Sequence, residues 1–194
     1  MRDEMRTTPS QNIKIYNNGG NGHINTAIGH RSLYANTTGD ANVAIGWSAL
    51  VSNQGGSENV AVGSEALSAN ISGINNIAIG KQALCTSETA SGNTAVGHRA
   101  MEITSSGNAN VAFGFEALHE NTSGEFNTAI GYEAMQNSSL YDYNTAVGYQ
   151  SLYESNSDFN TAVGAFSLYT CSNDYAMANT AIGYNALLSN GPGY

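Results

Sequence analysis

Apolar and polar positions along this chain recur with a fixed period. A five-residue motif occurs ten times, always as Asn, then Thr, Val or Ile, then Ala, then Ile, Val or Phe, then Gly. We number each repeat from its asparagine, which is position 0, and call the ten repeats coils 1 to 10. From Asn25 the spacing is 17 residues for seven successive steps, then 16 and 19. The motif asparagines are Asn25, Asn42, Asn59, Asn76, Asn93, Asn110, Asn127, Asn144, Asn160 and Asn179.

Each repeat predicts one coil of a β-solenoid. Seventeen residues are too few for a helical-hairpin repeat of about 34 residues. Position +7 is always Ala or Ser and position +8 always Leu or Met, while the rest of the repeat is polar and rich in turn-forming residues. We therefore expect two short strands per coil, one at the motif and one around position +8. The invariant glycine at +4 marks a corner that needs positive φ or close backbone contact.

Stacked coils bring equal positions together. At a strand spacing of about 4.8 Å, ten coils form a rod roughly 48 Å long. The asparagines at position 0 would then form a ladder of amides that bond along the column and to backbone groups at a turn. We expect this ladder to be structural, although a row that binds a sugar or an ion stays open.

The two faces of the first strand differ in a regular way. Side chains alternate across a strand, so +2 and +4 share one face and +1 and +3 share the other. Because +2 is always Ala, we expect it to line a narrow interior, and the +3 residues then point out of the coil and need cover. A second copy of the chain would supply that cover. The opposite arrangement, with the +3 row inside, stays open. The predicted oligomer interface is Ile28, Ile45, Val62, Ile79, Val96, Phe113, Ile130, Val147, Val163 and Ile182.

The repeats "NTAIG" and "NTAVG", each followed shortly by a small residue, resemble the head repeats of YadA-type trimeric autotransporter adhesins. Related repeats in phage and large-virus fibre proteins look similar, and the likeness covers residues 25–190. The resemblance implies an all-β fold, a left-handed parallel β-roll of about ten 17-residue coils, assembled as a parallel homotrimer. This repeat is longer than the usual autotransporter head repeat, which favours a fibre protein or a fragment.

Charge narrows the possible partners. Only 11% of residues are charged, the net charge is −9, and no Lys or Arg follows Arg99. An acidic half without cations argues against nucleic acid and anionic membranes, because nothing there neutralises phosphates. No run approaches 18 apolar residues, so we expect no membrane insertion. The start, "MRDEMR", has no apolar h-region of a signal peptide.

Catalytic and metal-binding patterns are missing from the sequence. There is no "GxSxG", "HExxH" or phosphate-binding loop. His30 and His98 share position +5 but lie four coils apart. Cys85 and Cys171 are five coils apart, roughly 24 Å, which excludes an intrachain disulfide. We expect no enzyme activity, no metal and no cofactor.

Aromatic residues recur at position +5 and suggest a glycan contact, because exposed rings on a rigid polar rod suit carbohydrate stacking. The alternatives are that the rings stack on one another or seal subunit seams. Sequons at Asn36, Asn70, Asn121 and Asn137 would place sugars along one edge of the rod if the chain meets a glycosylating host. The candidate glycan-contact residues are Trp47, Phe115, Tyr132, Tyr149 and Tyr184.

The chain divides into an N-terminal attachment or capping segment, residues 1–24, and a solenoid domain, residues 25–194. "NIKIY" at 12–16 resembles a degraded motif, as expected for an atypical terminal coil. Near the other end, Pro192 should stop the strand ladder. The N-terminal segment would dock on a particle or fibre base.

These patterns favour a structural fibre or adhesin segment of a virus, phage or surface appendage, located on a virion or at a cell surface. It would present a surface that binds a glycan or protein receptor. A self-assembling extracellular filament subunit is a variant. The alternative class is an ice-binding solenoid, although position +1 is Thr in only six coils and no Thr-x-Thr array occurs.

Overall fold

The computed structural model describes the main chain of residues 13–16 and all atoms of most of residues 22–171 and 177–190. The fold within these ranges is all-β, without helix. The strands are β1 (Ile13–Tyr16), β2 (Asn25–Ile28), β3 (Val43–Ile45), β4 (Val60–Val62), β5 (Ile77–Ile79), β6 (Thr94–Val96), β7 (Val111–Phe113), β8 (Thr128–Ile130), β9 (Thr145–Val147), β10 (Glu154–Ser155), β11 (Thr161–Val163), β12 (Thr170–Cys171), β13 (Thr180–Ile182) and β14 (Ser189–Asn190).

The motif strands form one parallel sheet, which confirms the predicted parallel β-solenoid of about nine turns. Each strand from β2 to β9, then β11 and β13, pairs with the next in register, so that equal repeat positions are partners. Even the irregular spacings of 16 and 19 residues keep this register. The additional residues are therefore absorbed in the turns.

The "NIKIY" segment is not a further coil. β1 pairs antiparallel with β2, with Ile13 opposite Ile28 and Tyr16 opposite Asn25. The likeness to the motif did not reveal direction, because a strand's hydrophobic pattern is the same read either way. The predicted attachment residues 1–11 and the predicted stop at Pro192 lie outside the described residues.

The interior of the coil is narrow and apolar. Alanines at +2 and the Leu or Met residues at +8 form one continuous core, and nearly all of them are fully buried. At +7 the core holds Ala or Ser. Where it is Ser, as at Ser151, the hydroxyl donates to the carbonyl of the corner glycine, Gly148, at 3.1 Å. The buried hydroxyl is thus satisfied, which explains why this column accepts both residues.

The glycine at +4 is a corner with positive φ, as predicted. Gly97 has φ of 145°, and a Cβ placed there would lie 2.1 Å from the carbonyl oxygen of Gly114 in the next coil. Both the backbone conformation and the close approach of consecutive coils therefore require glycine.

The second strand predicted around +8 is absent from nine of the ten coils' turn segments and is wrong as a general feature. Positions +5 to +8 form a turn, and their backbone bonds run to the next coil, as from Leu50 N to Ala66 O at 3.1 Å. The residues at +6 and +8 have positive φ, for example Glu116 at 48° and Leu118 at 52°. Alternating left-handed residues cannot form an extended strand. The short strands β10, β12 and β14 lie later in the coil, at +10 and +11.

The asparagines at position 0 form a buried column. In each step the backbone N–H of one asparagine donates to Oδ1 of the asparagine one coil earlier, as from Asn59 to Asn42 at 3.0 Å. Its Nδ2 donates to a backbone carbonyl fourteen residues later, as from Asn59 to Gly73 at 2.9 Å. Each side chain therefore ties neighbouring coils together and closes its own turn.

A second polar column lies inside the coil at position +11, within the half of the repeat that looked like a plain loop. Asn70 and Asn121 belong to it and are fully buried. Glycosylation of these two sequons is incompatible with the fold, since their side-chain nitrogens point into the coil. Asn36 and Asn137 are only partly buried.

Candidate interaction face

The outward face of the motif sheet is the most uniform surface of the rod. Positions +1 and +3 of all ten coils lie on it, and in-register pairing sets each residue beside its equivalents, as Ile79 beside Val96. Nine steps of about 4.8 Å make this face roughly 43 Å long. We call it the motif face.

The motif face carries no charge. Its twenty residues are Thr, Val, Ile or Phe, and none is buried: each is half-buried or exposed. The structure thus resolves the open orientation, since the Ala row is inside and the row from Ile28 to Ile182 is outside. Phe113, 56% exposed, protrudes furthest among the inner coils.

Aromatic side chains at +5 form a stacked ladder beside this face. His98, Phe115, Tyr132 and Tyr149 follow one another with ring centroids 5.4, 4.9 and 5.4 Å apart and interplanar angles of 23°, 11° and 14°. The coil spacing sets these distances. Stacking covers the ring faces that a sugar would need, so Phe115, Tyr132 and Tyr149 offer mainly their edges to a ligand.

Two members of the predicted glycan-contact set differ from the ladder. Trp47 is 50% exposed, and its ring contacts no other ring in the described part of the chain. Tyr184 meets Phe166 edge-on at 6.2 Å. Trp47 is therefore the member whose ring face is free of aromatic neighbours, and glycan contact at this set stays a prediction.

A further ladder, which the sequence analysis missed, lies at the other end of the motif strand. Phe126, Tyr143 and Phe159 stack at 5.0 and 5.2 Å, and about half of each side chain is exposed. These residues precede the motif asparagine by one position. Their alignment was readable from the repeat, but only three coils carry an aromatic there.

The turn side of the rod holds a polar cluster that spans coils 5 and 6. Glu102 accepts hydrogen bonds from Arg99 and lies 2.8 Å from Nε2 of His119, and Arg99 also donates to Glu116 at 2.6 Å. Partial burial disfavours the charged form of Glu102, but the bonds from His119 and Arg99 outweigh it and hold the pKa of this carboxyl below its usual range. The cluster neutralises charges locally, one coil against the next.

The cysteines show no reactive environment. Burial and the nearby Glu102 carboxylate raise the pKa of the Cys85 thiol to about 11. Both cysteines are free, and Cys171 is buried. Within the described ranges, no group of three His, Cys, Asp or Glu side chains could hold a metal ion.

No protein-family model, curated protein or solved structure matches this chain. Among the described residues, no helix has the length and apolarity needed to cross a membrane. The argument for function therefore depends on the surfaces of the rod.

Proposed function

We propose that this chain is a rigid shaft segment of a fibrous surface protein, in which motif faces pack together as a parallel homotrimer of left-handed coils. The observation that carries the proposal is the motif face: twenty uncharged side chains in two straight columns along the whole rod. A surface exposed to water in its working state would show Lys or Glu at some of these positions.

The energy of this face favours covering it. A Val, Ile or Phe side chain contributes about 1.5–3 kcal/mol when it is fully removed from water. The +3 row is only partly buried within one chain, so much of this free energy is still available to an assembly. In a parallel arrangement each coil meets its own equivalent, and Ile or Val packs against Ile or Val throughout.

The aromatic ladders would complete the interface. Two columns of side chains give a strip roughly 10 Å wide and 43 Å long, about half of the ~800 Å² per partner that stable interfaces bury. Burial of the flanking rings, such as Tyr132 and Tyr143, would supply the rest. The role of the assembled shaft is then to hold a receptor-binding surface away from a particle or cell.

A charge in the middle of the motif face tests the assembly. Val96→Asp brings carboxylates together in an apolar contact, so we expect size-exclusion chromatography to show a smaller species that keeps its β-sheet circular dichroism. Ser106→Asp is the matched control, because Ser106 is exposed away from this face. Equal elution of native chain, Val96→Asp and Ser106→Asp would contradict a role for the face in assembly.

Ice binding is the second candidate, and one observation favours it. Thr128, Thr145, Thr161 and Thr180 occupy position +1 in four consecutive coils and all point out of the flat sheet. The same column is Val or Ile in coils 2 to 4, which breaks the array. A thermal-hysteresis assay separates the two: measurable hysteresis favours ice binding, and its absence favours the shaft.

A further inference from the structure

The buried column at position +11 is a hydrogen-bonded chain of asparagines in the first three coils. Nδ2 of Asn53 donates to Oδ1 of Asn36 at 2.8 Å, and Nδ2 of Asn70 donates to Oδ1 of Asn53 at 2.7 Å. The same nitrogens also donate to the carbonyls of Gly56 and Gly73, at 2.9 and 3.1 Å. Each carboxamide nitrogen thus uses both of its protons, one toward the coil before and one within its own turn.

Serine replaces asparagine in this column at two separate places, Ser87 in coil 4 and Ser138 in coil 7. At the first, Oδ1 of Asn70 and Oγ of Ser87 are buried and have no hydrogen-bond partner within the protein. At the second, the same is true of Oδ1 of Asn121 and Oγ of Ser138. Four of the five buried side-chain atoms without a partner, in the part of the chain that the structure describes, belong to these two pairs.

A backbone carbonyl completes each group. Ala90 O accepts one bond, from Nδ2 of Asn76 at 2.8 Å, and Tyr141 O accepts one from Nδ2 of Asn127 at 2.7 Å. Where the column holds asparagine, the equivalent carbonyl receives a second donor, as Gly56 O does from Asn53. Each serine therefore leaves an amide oxygen, a hydroxyl and a carbonyl around the position of the missing carboxamide nitrogen.

We propose that Ser87 and Ser138 each bind one buried water molecule, which takes the place of the missing nitrogen. The water would donate one proton to Oδ1 of Asn70 and one to Ala90 O, and would accept from Oγ of Ser87. Three hydrogen bonds are typical of a buried water, and a buried polar group left unpaired is costly. None of the three protein groups is charged, so the site suits neutral water rather than a cation.

Thr104, in coil 5 of the same column, shows why serine and not every hydroxyl residue makes such a site. Its Oγ1 donates to Met101 O at 3.1 Å and so is satisfied within its own turn. The hydroxyls of Ser87 and Ser138 make no such bond.

A high-resolution crystal structure of the native chain tests the proposal directly. We expect one ordered water within about 3.2 Å of Asn70 Oδ1, Ser87 Oγ and Ala90 O, and another at the equivalent atoms around Ser138. If either set of atoms has no ordered water, the proposal is overturned for that site.

The variant Ser87→Asn tests the same site through stability. Its Nδ2 should displace the water, bond to Asn70 Oδ1 and Ala90 O, and raise the midpoint of thermal unfolding by about 2–4 °C. The water at Ser138 should remain, which makes the second site the internal control, and Ser138→Asn should behave in the reverse way. A lower midpoint in both variants, with the carboxamide turned away from the column, would overturn the proposal.

Discussion

At the scale of single residues, three positions in most coils have left-handed backbone: +6, +8 and +16. β-Branched residues are strongly disfavoured at positive φ. The +8 column accordingly contains Leu and Met but no Ile or Val, although its side chains fill the core. Among these left-handed residues Ile24, before the first coil, is the one that is β-branched.

This constraint predicts a difference between two conservative substitutions at Leu118, which is fully buried with φ of 52°. Leu118→Ile keeps the composition but places a branched Cβ in the left-handed region, so we expect a loss of about 1–3 kcal/mol in the free energy of unfolding. Leu118→Met, which reproduces Met101 and Met135 of the same column, should cost less than about 1.5 kcal/mol. Urea denaturation measures both, and equal stability of the two variants would contradict the argument.

The thiol of Cys85 should react slowly. A pKa of about 11 instead of 9.0 lowers the thiolate fraction at pH 8 about a hundredfold, and the thiolate is the reactive form. The native chain should therefore alkylate at Cys85 about a hundredfold more slowly than the urea-unfolded chain, as followed by mass spectrometry with iodoacetamide. Similar rates in the two states would show that the Cys85 site is open to solvent.

At the scale of elements, the sequence predicted the motif strand, the inward alanine and the glycine corner, because each is repeated in all ten coils. The second strand failed because Ala-Leu in isolation fits either a strand or a turn, and the pattern does not show that +6 and +8 are left-handed. The +11 column escaped notice because its residues vary between Asn, Ser, Thr and Cys. What they share is burial with a small polar or thiol group, which single letters do not reveal.

The aromatic ladder gives a test at this scale. Tyr132 stacks between Phe115 and Tyr149. Tyr132→Leu removes both contacts, and each is worth about 0.5–1.5 kcal/mol beyond its buried area, so we expect a loss of roughly 1–3 kcal/mol. Trp47→Leu, at the same repeat position without a ring neighbour, is the matched control and should change stability less. A larger effect at Trp47 in thermal unfolding would show that the ladder contributes little.

At the scale of the whole molecule, the rod is asymmetric. β1 covers the first edge of the sheet, whereas at the other end the core residue Leu187 is 48% exposed, unlike its fully buried equivalents in the middle coils. Cations are confined to the first half of the sequence and acids continue to the end. The feature that runs unchanged along the rod is the uncharged motif face, and it is the basis of the proposed assembly.

The molar mass of the native chain in solution tests this account most directly. Size-exclusion chromatography with multi-angle light scattering, at micromolar concentration, should give three chains of 20.2 kDa each, about 61 kDa. A concentration-independent mass of one chain, 20.2 kDa, would contradict it, because the motif face would then lie in water in the native state.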